Sequence, residues 1–148
     1  MTDPRIIVAI DTFDLQKANA ILDQLNPNFC LIKIGSVIFN ALGKTFLMHA
    51  SSRGFKIFLD LKLHDIPNTV NKAVKEISKF NVEMTTIHLK GGKDMIEAAL
   101  DSALNTKIIG VSVLTSLNNK DVEEMHGSNF DDQFKRIIKL AKTTEIDG

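Results

Sequence analysis

Apolar positions along the chain alternate between short β-branched runs and longer segments with a helical period. The runs are Arg5 to Asp11, Phe29 to Ile34, Lys56 to Leu61, Met84 to His88 and Lys107 to Val113. Each is apolar on both faces, as strands buried in a parallel sheet are. Between the first two, Asp14 to Leu25 places Leu15, Ala18, Ile21, Leu22 and Leu25 on one stripe, the pattern of a helix resting on a core. Val37 to Arg53 is a second helix, ending at Gly54, the residue type favoured just past a helix C-terminus. Pro67 suits the first turn of a helix reaching Phe80, Gly91-Gly92 opens one reaching Leu104, and Phe130 to Thr143 carries Phe134, Ile137, Ile138 and Ala141 on one face. Asn118 to Gly127 reads as a loop with one short helical turn.

Strand and helix in strict alternation predict a parallel sheet with crossover helices. Two architectures accept that order at this length: a complete doubly wound five-stranded sheet, or the first part of a (β/α)8 barrel of about 250 residues. No Ser/Gly-rich hinge or charge block divides the 148 residues, so one domain is expected. Glu145-Ile146-Asp147-Gly148 has the character of a connection leading into another strand.

Composition narrows the function. With 44% hydrophobic and 24% charged residues the chain is globular in type. Eighteen basic side chains balance eighteen acidic ones, so no field of one sign draws in nucleic acid or an anionic membrane. Apolar stretches such as Ile6 to Ile10 are far shorter than the roughly 20 residues of a membrane span, and Met1 to Arg5 is not followed by a signal-peptide core. Cys30 is the single cysteine, which excludes an internal disulfide and a thiolate metal cluster. A cytoplasmic location fits these features.

In either architecture ligands meet the C-terminal ends of the strands, and charge collects there. Asp11 ends the first strand, Lys33 lies within Leu31-Ile32-Lys33-Ile34, and Asp60 and Lys62 lie within Phe58-Leu59-Asp60-Leu61-Lys62. Alternation puts Phe58, Asp60 and Lys62 on one face of their strand and Leu59 and Leu61 on the other. Asp11 alone is more simply a turn residue or helix cap, and Asp65, just before Pro67, is equally a cap and a functional carboxylate. Lys33 and Lys62 are harder to explain structurally, because an ammonium among Leu and Ile is costly unless it is paired or meets a ligand. Two lysines and two aspartates packed together would lock one another in their charged forms. Such a row suits departure of a carboxylate as CO2 with delivery of a proton to the carbon left behind, Lys62 being the positioned acid. A metal-assisted enediolate mechanism fits the same residues. Thr115, after the fifth strand, either satisfies a loop or meets a ligand, and Gly91-Gly92 is more simply a tight turn than an anion cradle. His49, His64, His88 and His126 lie far apart in sequence without metal-ligand spacing.

The stretch Asp60-Leu61-Lys62-Leu63-His64-Asp65-Ile66-Pro67-Asn68-Thr69 closely resembles the signature of the orotidine 5'-phosphate decarboxylase family. Val8-Ala9-Ile10-Asp11, Leu31 to Gly35, Arg53 to Leu59, His88 with Gly91-Gly92, and Val113-Leu114-Thr115-Ser116 match the same family in the same order. The resemblance implies a (β/α)8 TIM barrel, of which residues 1–148 would be the first five βα units of a single domain shortened at its C-terminus. It implies decarboxylation of orotidine 5'-monophosphate to UMP with no cofactor and no metal. Lys33, Asp60, Lys62 and Asp65 would form the catalytic array, Lys62 delivering a proton to C6 of the pyrimidine and Asp60 facing the departing carboxylate. Asp11 and Lys33 would hold the ribose hydroxyls, and Thr115 would contact the nucleotide near the pyrimidine. Asp65, Ile66 and Thr69 would complete the site of a partner subunit, which implies a homodimer. Leu89-Lys90 stands where many relatives carry small residues, a departure at no catalytic position. Relatives also continue through roughly another third of a barrel, including the residues that hold the substrate phosphate. A chain lacking that part would expose sheet edges and apolar interior.

Two other readings use the same residues. A Mg²⁺-dependent sugar-phosphate lyase of the same superfamily shares D-x-K-x-x-D, but Lys33 and the Ile-Pro-Asn-Thr continuation argue against it. A flavodoxin-like receiver module would need an acidic pair on strand one and a lysine ending strand five, where this chain has Asp11 alone and Leu114-Thr115-Ser116.

Overall fold

A computed structural model describes residues 6–148, so Arg5, the expected start of the first strand, lies outside it. The order is β1 (Ile6–Ala9), α1 (Leu15–Asp23), β2 (Cys30–Gly35), α2 (Ser36–Ser52), β3 (Ile57–Leu63), α3 (Pro67–Ile77), β4 (Val82–His88), α4 (Lys93–Ser102), β5 (Lys107–Val111), α5 (Asn119–His126) and α6 (Phe130–Thr143). All neighbouring strands pair in parallel, in the spatial order β1-β2-β3-β4-β5. That order decides between the two architectures. A doubly wound sheet reverses direction at a switch point, whereas a strictly sequential parallel sheet, with right-handed crossovers, advances one way and curls as a (β/α)8 barrel does.

The core lies between strands and helices in two clusters. One gathers Leu22, Ile34, Ile38, Leu47, Phe55 and Leu59, and the other Val74, Ile87, Met95, Ile96, Ile108 and Val122. Leu63 packs against both. Strand β1 departs furthest from burial on both faces, with Ile6 and Ile7 exposed at 61% and 43%. At the other edge the chain returns after α6. The Gly110 amide donates to the Gly148 carbonyl at 2.7 Å, and the Ile108 amide donates to the Asp147 carboxylate at 2.7 Å.

Three local expectations are corrected. The segment Asn118 to Gly127 holds a full helix, α5, closed at its start by a reciprocal Asn118/Asp121 capping box and at its end by left-handed Gly127. Helix α2 is broken at Gly43, whose φ of 59° and ψ of −153° are non-helical and accessible to a residue without Cβ. Strand β5 ends at Val111 rather than Val113. Gly91-Gly92 is the tight turn anticipated. Gly91 ends a single 3-10 turn, Leu89–Gly91, and a Cβ on it would fall 2.1 Å from the Met95 sulfur.

Candidate active site

The C-terminal ends of β1, β2 and β3 open on a cavity of about 190 Å³ lined by Asp11, Lys33, Ser36, Asp60 and Lys62 among others. The four charges expected on three neighbouring strands therefore do converge. Their delivery follows from register: Ala9 pairs with Lys33, and Gly35 with Asp60, so each successive strand brings its polar residue to the same rim. Asp14, not Asp11, caps α1, accepting from the amides of Gln16 at 2.8 Å and Lys17 at 3.1 Å. Asp11 is thereby left to the cavity.

Asp60 is the centre of the group. Its side chain is 12% exposed and lies 3.6 Å from the Lys33 ammonium. The Lys62 ammonium donates to both carboxylate oxygens, at 2.9 and 2.8 Å. The Thr86 hydroxyl adds a third donor at 2.9 Å. Burial alone would raise the Asp60 carboxyl, but hydrogen bonds from Lys62 and Thr86, with the charges of Lys62 and Lys33, outweigh it and hold the group below its ordinary value. The two lysine side chains are 36% and 41% exposed, so solvent screens both attractions. What they secure is placement of ammonium groups around an ionised carboxylate.

Lys62 has a φ of 52°, a left-handed conformation that costs a residue with Cβ about 1–2 kcal/mol. Around it the ladder between β3 and β4 is irregular, with a register shift between Leu59 and Leu63. Strain of this kind persists only where the surroundings over-determine it, and it concentrates at functional sites.

A family model described as "Orotidine 5'-phosphate decarboxylase / HUMPS family" matches residues 4–148. The chain belongs to this family. A curated relative from Vibrio cholerae, named orotidine 5'-phosphate decarboxylase, is 38% identical over 154 residues that cover 100% of this chain and 67% of the relative. One of the same name from Coxiella burnetii is 37% identical, over 99% of this chain and 65% of its own length. The chain thus spans about two thirds of the length of the curated relatives it matches. The crystal structure of orotidine 5'-phosphate decarboxylase from Lactobacillus acidophilus superposes with a TM-score of 0.90 at 34% identity, covering 99% of this chain and 70% of that one. The five βα units are accordingly part of the TIM barrel of orotidine 5'-phosphate decarboxylases.

Not every residue singled out by the family resemblance reaches the cavity. Asp65, Ile66 and Thr69 are exposed at the start of α3, and Thr115 lies in an exposed turn beyond β5. Asp65 does not cap α3. It accepts only from the adjacent Ile66 amide, at 2.7 Å, and Ile66 itself is the N-terminal flanking residue without a side-chain cap. Among the described residues Asp65 forms no ion pair with either lysine.

Two features escaped the sequence reading. Thr86, 3% exposed, binds Asp60 although it sits on the next strand. Its only signal is a polar pair, Thr85-Thr86, inside an apolar strand. The histidines, far apart in sequence, are not all apart in space. The rings of His64 and His88 lie 5.3 Å apart, and His126 Nε2 is 2.7 Å from the Lys90 ammonium. Burial first, then the neighbouring charges of His64, Lys90 and Lys62, push His88 below its ordinary value. Among the described residues no group of three or more metal-ligating side chains forms.

Proposed function

We propose that this chain carries the decarboxylation centre for orotidine 5'-monophosphate, converting it to UMP in pyrimidine biosynthesis. The observation that supports this most is the Asp60 carboxylate held between the Lys62 and Lys33 ammonium groups at the mouth of the cavity. With the pyrimidine seated so that C6 faces Lys62, the bond from C6 to the substrate carboxyl carbon breaks. CO2 leaves, and the electron pair stays on C6. A proton from the Lys62 ammonium then completes UMP. The negative charge growing at C6 develops beside a pre-placed cation, so the stabilisation needs no reorganisation at the moment of reaction. Asp60 orients that ammonium through both of its oxygens and faces the departing carboxylate.

Asp11 and Lys33 line the same cavity and are assigned the ribose hydroxyls, with Thr115 assigned a contact near the pyrimidine. Asp65, Ile66 and Thr69 are assigned to the site of a second subunit in a homodimer. The 65% exposure of Ile66 supports that role, since an apolar side chain at a helix start is well suited to being covered by a partner. Residues 1–148 act in this reading as one barrel domain.

The test is turnover of orotidine 5'-monophosphate by the chain with EDTA present, followed as loss of orotate absorbance beside a full-length relative. The expected result is UMP formation unaffected by EDTA. No turnover beside an active control, or turnover abolished by EDTA, would overturn the assignment, the latter in favour of a metal-dependent lyase.

A further inference from the structure

The irregularity between β3 and β4 leaves the Lys62 amide without a ladder partner, because register is lost between Leu59 and Leu63. A side chain replaces the ladder. The Lys62 amide donates to the Thr86 hydroxyl oxygen at 2.8 Å, and that hydroxyl donates to Asp60 Oδ1 at 2.9 Å. The directions are forced. An amide only donates and a carboxylate only accepts, so the hydroxyl uses a lone pair toward Lys62 and its single proton toward Asp60. Thr86 is 3% exposed, which keeps water from competing for either bond. The preceding Thr85 gives a contrast: fully buried, it donates to the Leu59 carbonyl at 2.9 Å and ties backbone to side chain without touching the cavity charges.

We propose that Thr86 is a positioning residue of the decarboxylation site, one hydroxyl fixing both the left-handed backbone of Lys62 and the carboxylate of Asp60 so that the ammonium is aimed at the reacting carbon. The inference rests on the reading of Asp60 and Lys62 given above. Threonine is stiff at χ1, so the oxygen stays between the two groups it joins.

Two measurements on the whole chain test it. In turnover of orotidine 5'-monophosphate, Thr86→Val lowers kcat about tenfold with KM changed less than about twofold, as loss of a hydrogen bond to a charged group acting in the transition state should. Thr86→Ser restores most of the loss. Independently of turnover, the Asp60 carboxyl is followed by ¹³C NMR. The groups facing it are Lys62 on β3, Lys33 on β2, Thr86 on β4 and Asp11 after β1. Its titration midpoint moves up toward the ordinary carboxylate range in the valine variant and stays in place in the serine variant. Unchanged kcat and midpoint in folded Thr86→Val, or serine as impaired as valine, would overturn the proposal. Should valine prevent folding, hydrogen exchange at the wild-type Lys62 amide decides. Protection is expected, and exchange as fast as at the exposed Thr115 turn would contradict the bond. Failure of the wild type to turn over substrate would remove the functional reading while the carboxyl titration still judged Thr86.

Discussion

Two carboxylates in this sheet are each held between two lysines, at opposite ends of the strands. Asp60 lies at the C-terminal end with Lys33 at 3.6 Å and Lys62 at 2.8 Å. Glu83 lies at the N-terminal end with Lys56 at 3.0 Å and Lys107 at 3.4 Å. Both carboxyls are held below their ordinary values: Glu83 chiefly by its hydrogen bond from Lys56 against an opposing burial effect, Asp60 by its lysines and Thr86 against a burial effect that is the largest single influence. The charge pattern is the same and the settings differ. The lysines around Glu83 are 51% and 57% exposed, Lys56 just before β3 and Lys107 at the start of β5, so that trio is a solvated clasp at the N-terminal ends of β3, β4 and β5. The Asp60 trio has a strained lysine, a buried threonine and a cavity in front of it. Pairing of charges therefore does not mark a functional site. Strand end, strain and an opening toward a ligand do, in keeping with the barrel rule that chemistry gathers at the C-terminal face and stability at the other.

The two carboxylate sites should differ most at Lys62. Lys62→Ala should abolish decarboxylation while leaving the circular-dichroism spectrum and cooperative unfolding intact. Lys62→Gly should be equally inactive yet more stable than the alanine variant by about 1 kcal/mol, because only glycine adopts the left-handed backbone without cost. An alanine variant as stable as the glycine one in urea unfolding would mean that the strain is not held in the native chain.

A smaller effect concerns acid. Asp60 and Glu83 have carboxyls lowered on folding, so each contributes stability that is fully present above its unfolded value near pH 4 and is lost as pH falls through its lower folded value. His88, also lowered, contributes stability that begins to fade as pH falls below about 6.5, where the unfolded imidazole takes up its proton first. Denaturation midpoints between pH 7 and pH 3 should decline in two stages. Replacing His88 by Asn should remove the upper stage alone, and a single-stage decline in the wild type would refute that assignment.

Much of this was legible from residue order. Five βα units and the cap glycine at position 54 follow from periodicity, and Lys33 and Lys62 stood out by lying among Leu and Ile, although the fold leaves their side chains 36% and 41% exposed at the strand ends rather than buried. Helix α5 was also written in the chain, as Asn118, Asp121 and Gly127, but with only Val122 buried its apolar stripe is too short to register as a period. The break at Gly43 was hidden because apolar residues continue on both sides of it. Thr86 and the contact of His64 with His88 depend on strand register. Two shifts in the pairing decide that register, one extra residue in β4 beside Ile57 and Phe58 and two extra in β3 between Leu59 and Leu63, and no local pattern encodes them.

The most direct test sets Asp60→Asn beside Glu83→Gln, measuring turnover of orotidine 5'-monophosphate and the urea midpoint of each. Asp60→Asn is expected to lose turnover and retain cooperative unfolding, whereas Glu83→Gln keeps wild-type turnover and loses less than about 1 kcal/mol of stability, as an exposed ion-pair clasp should. Full turnover in folded Asp60→Asn, or equal loss of turnover in both variants, would contradict this expectation.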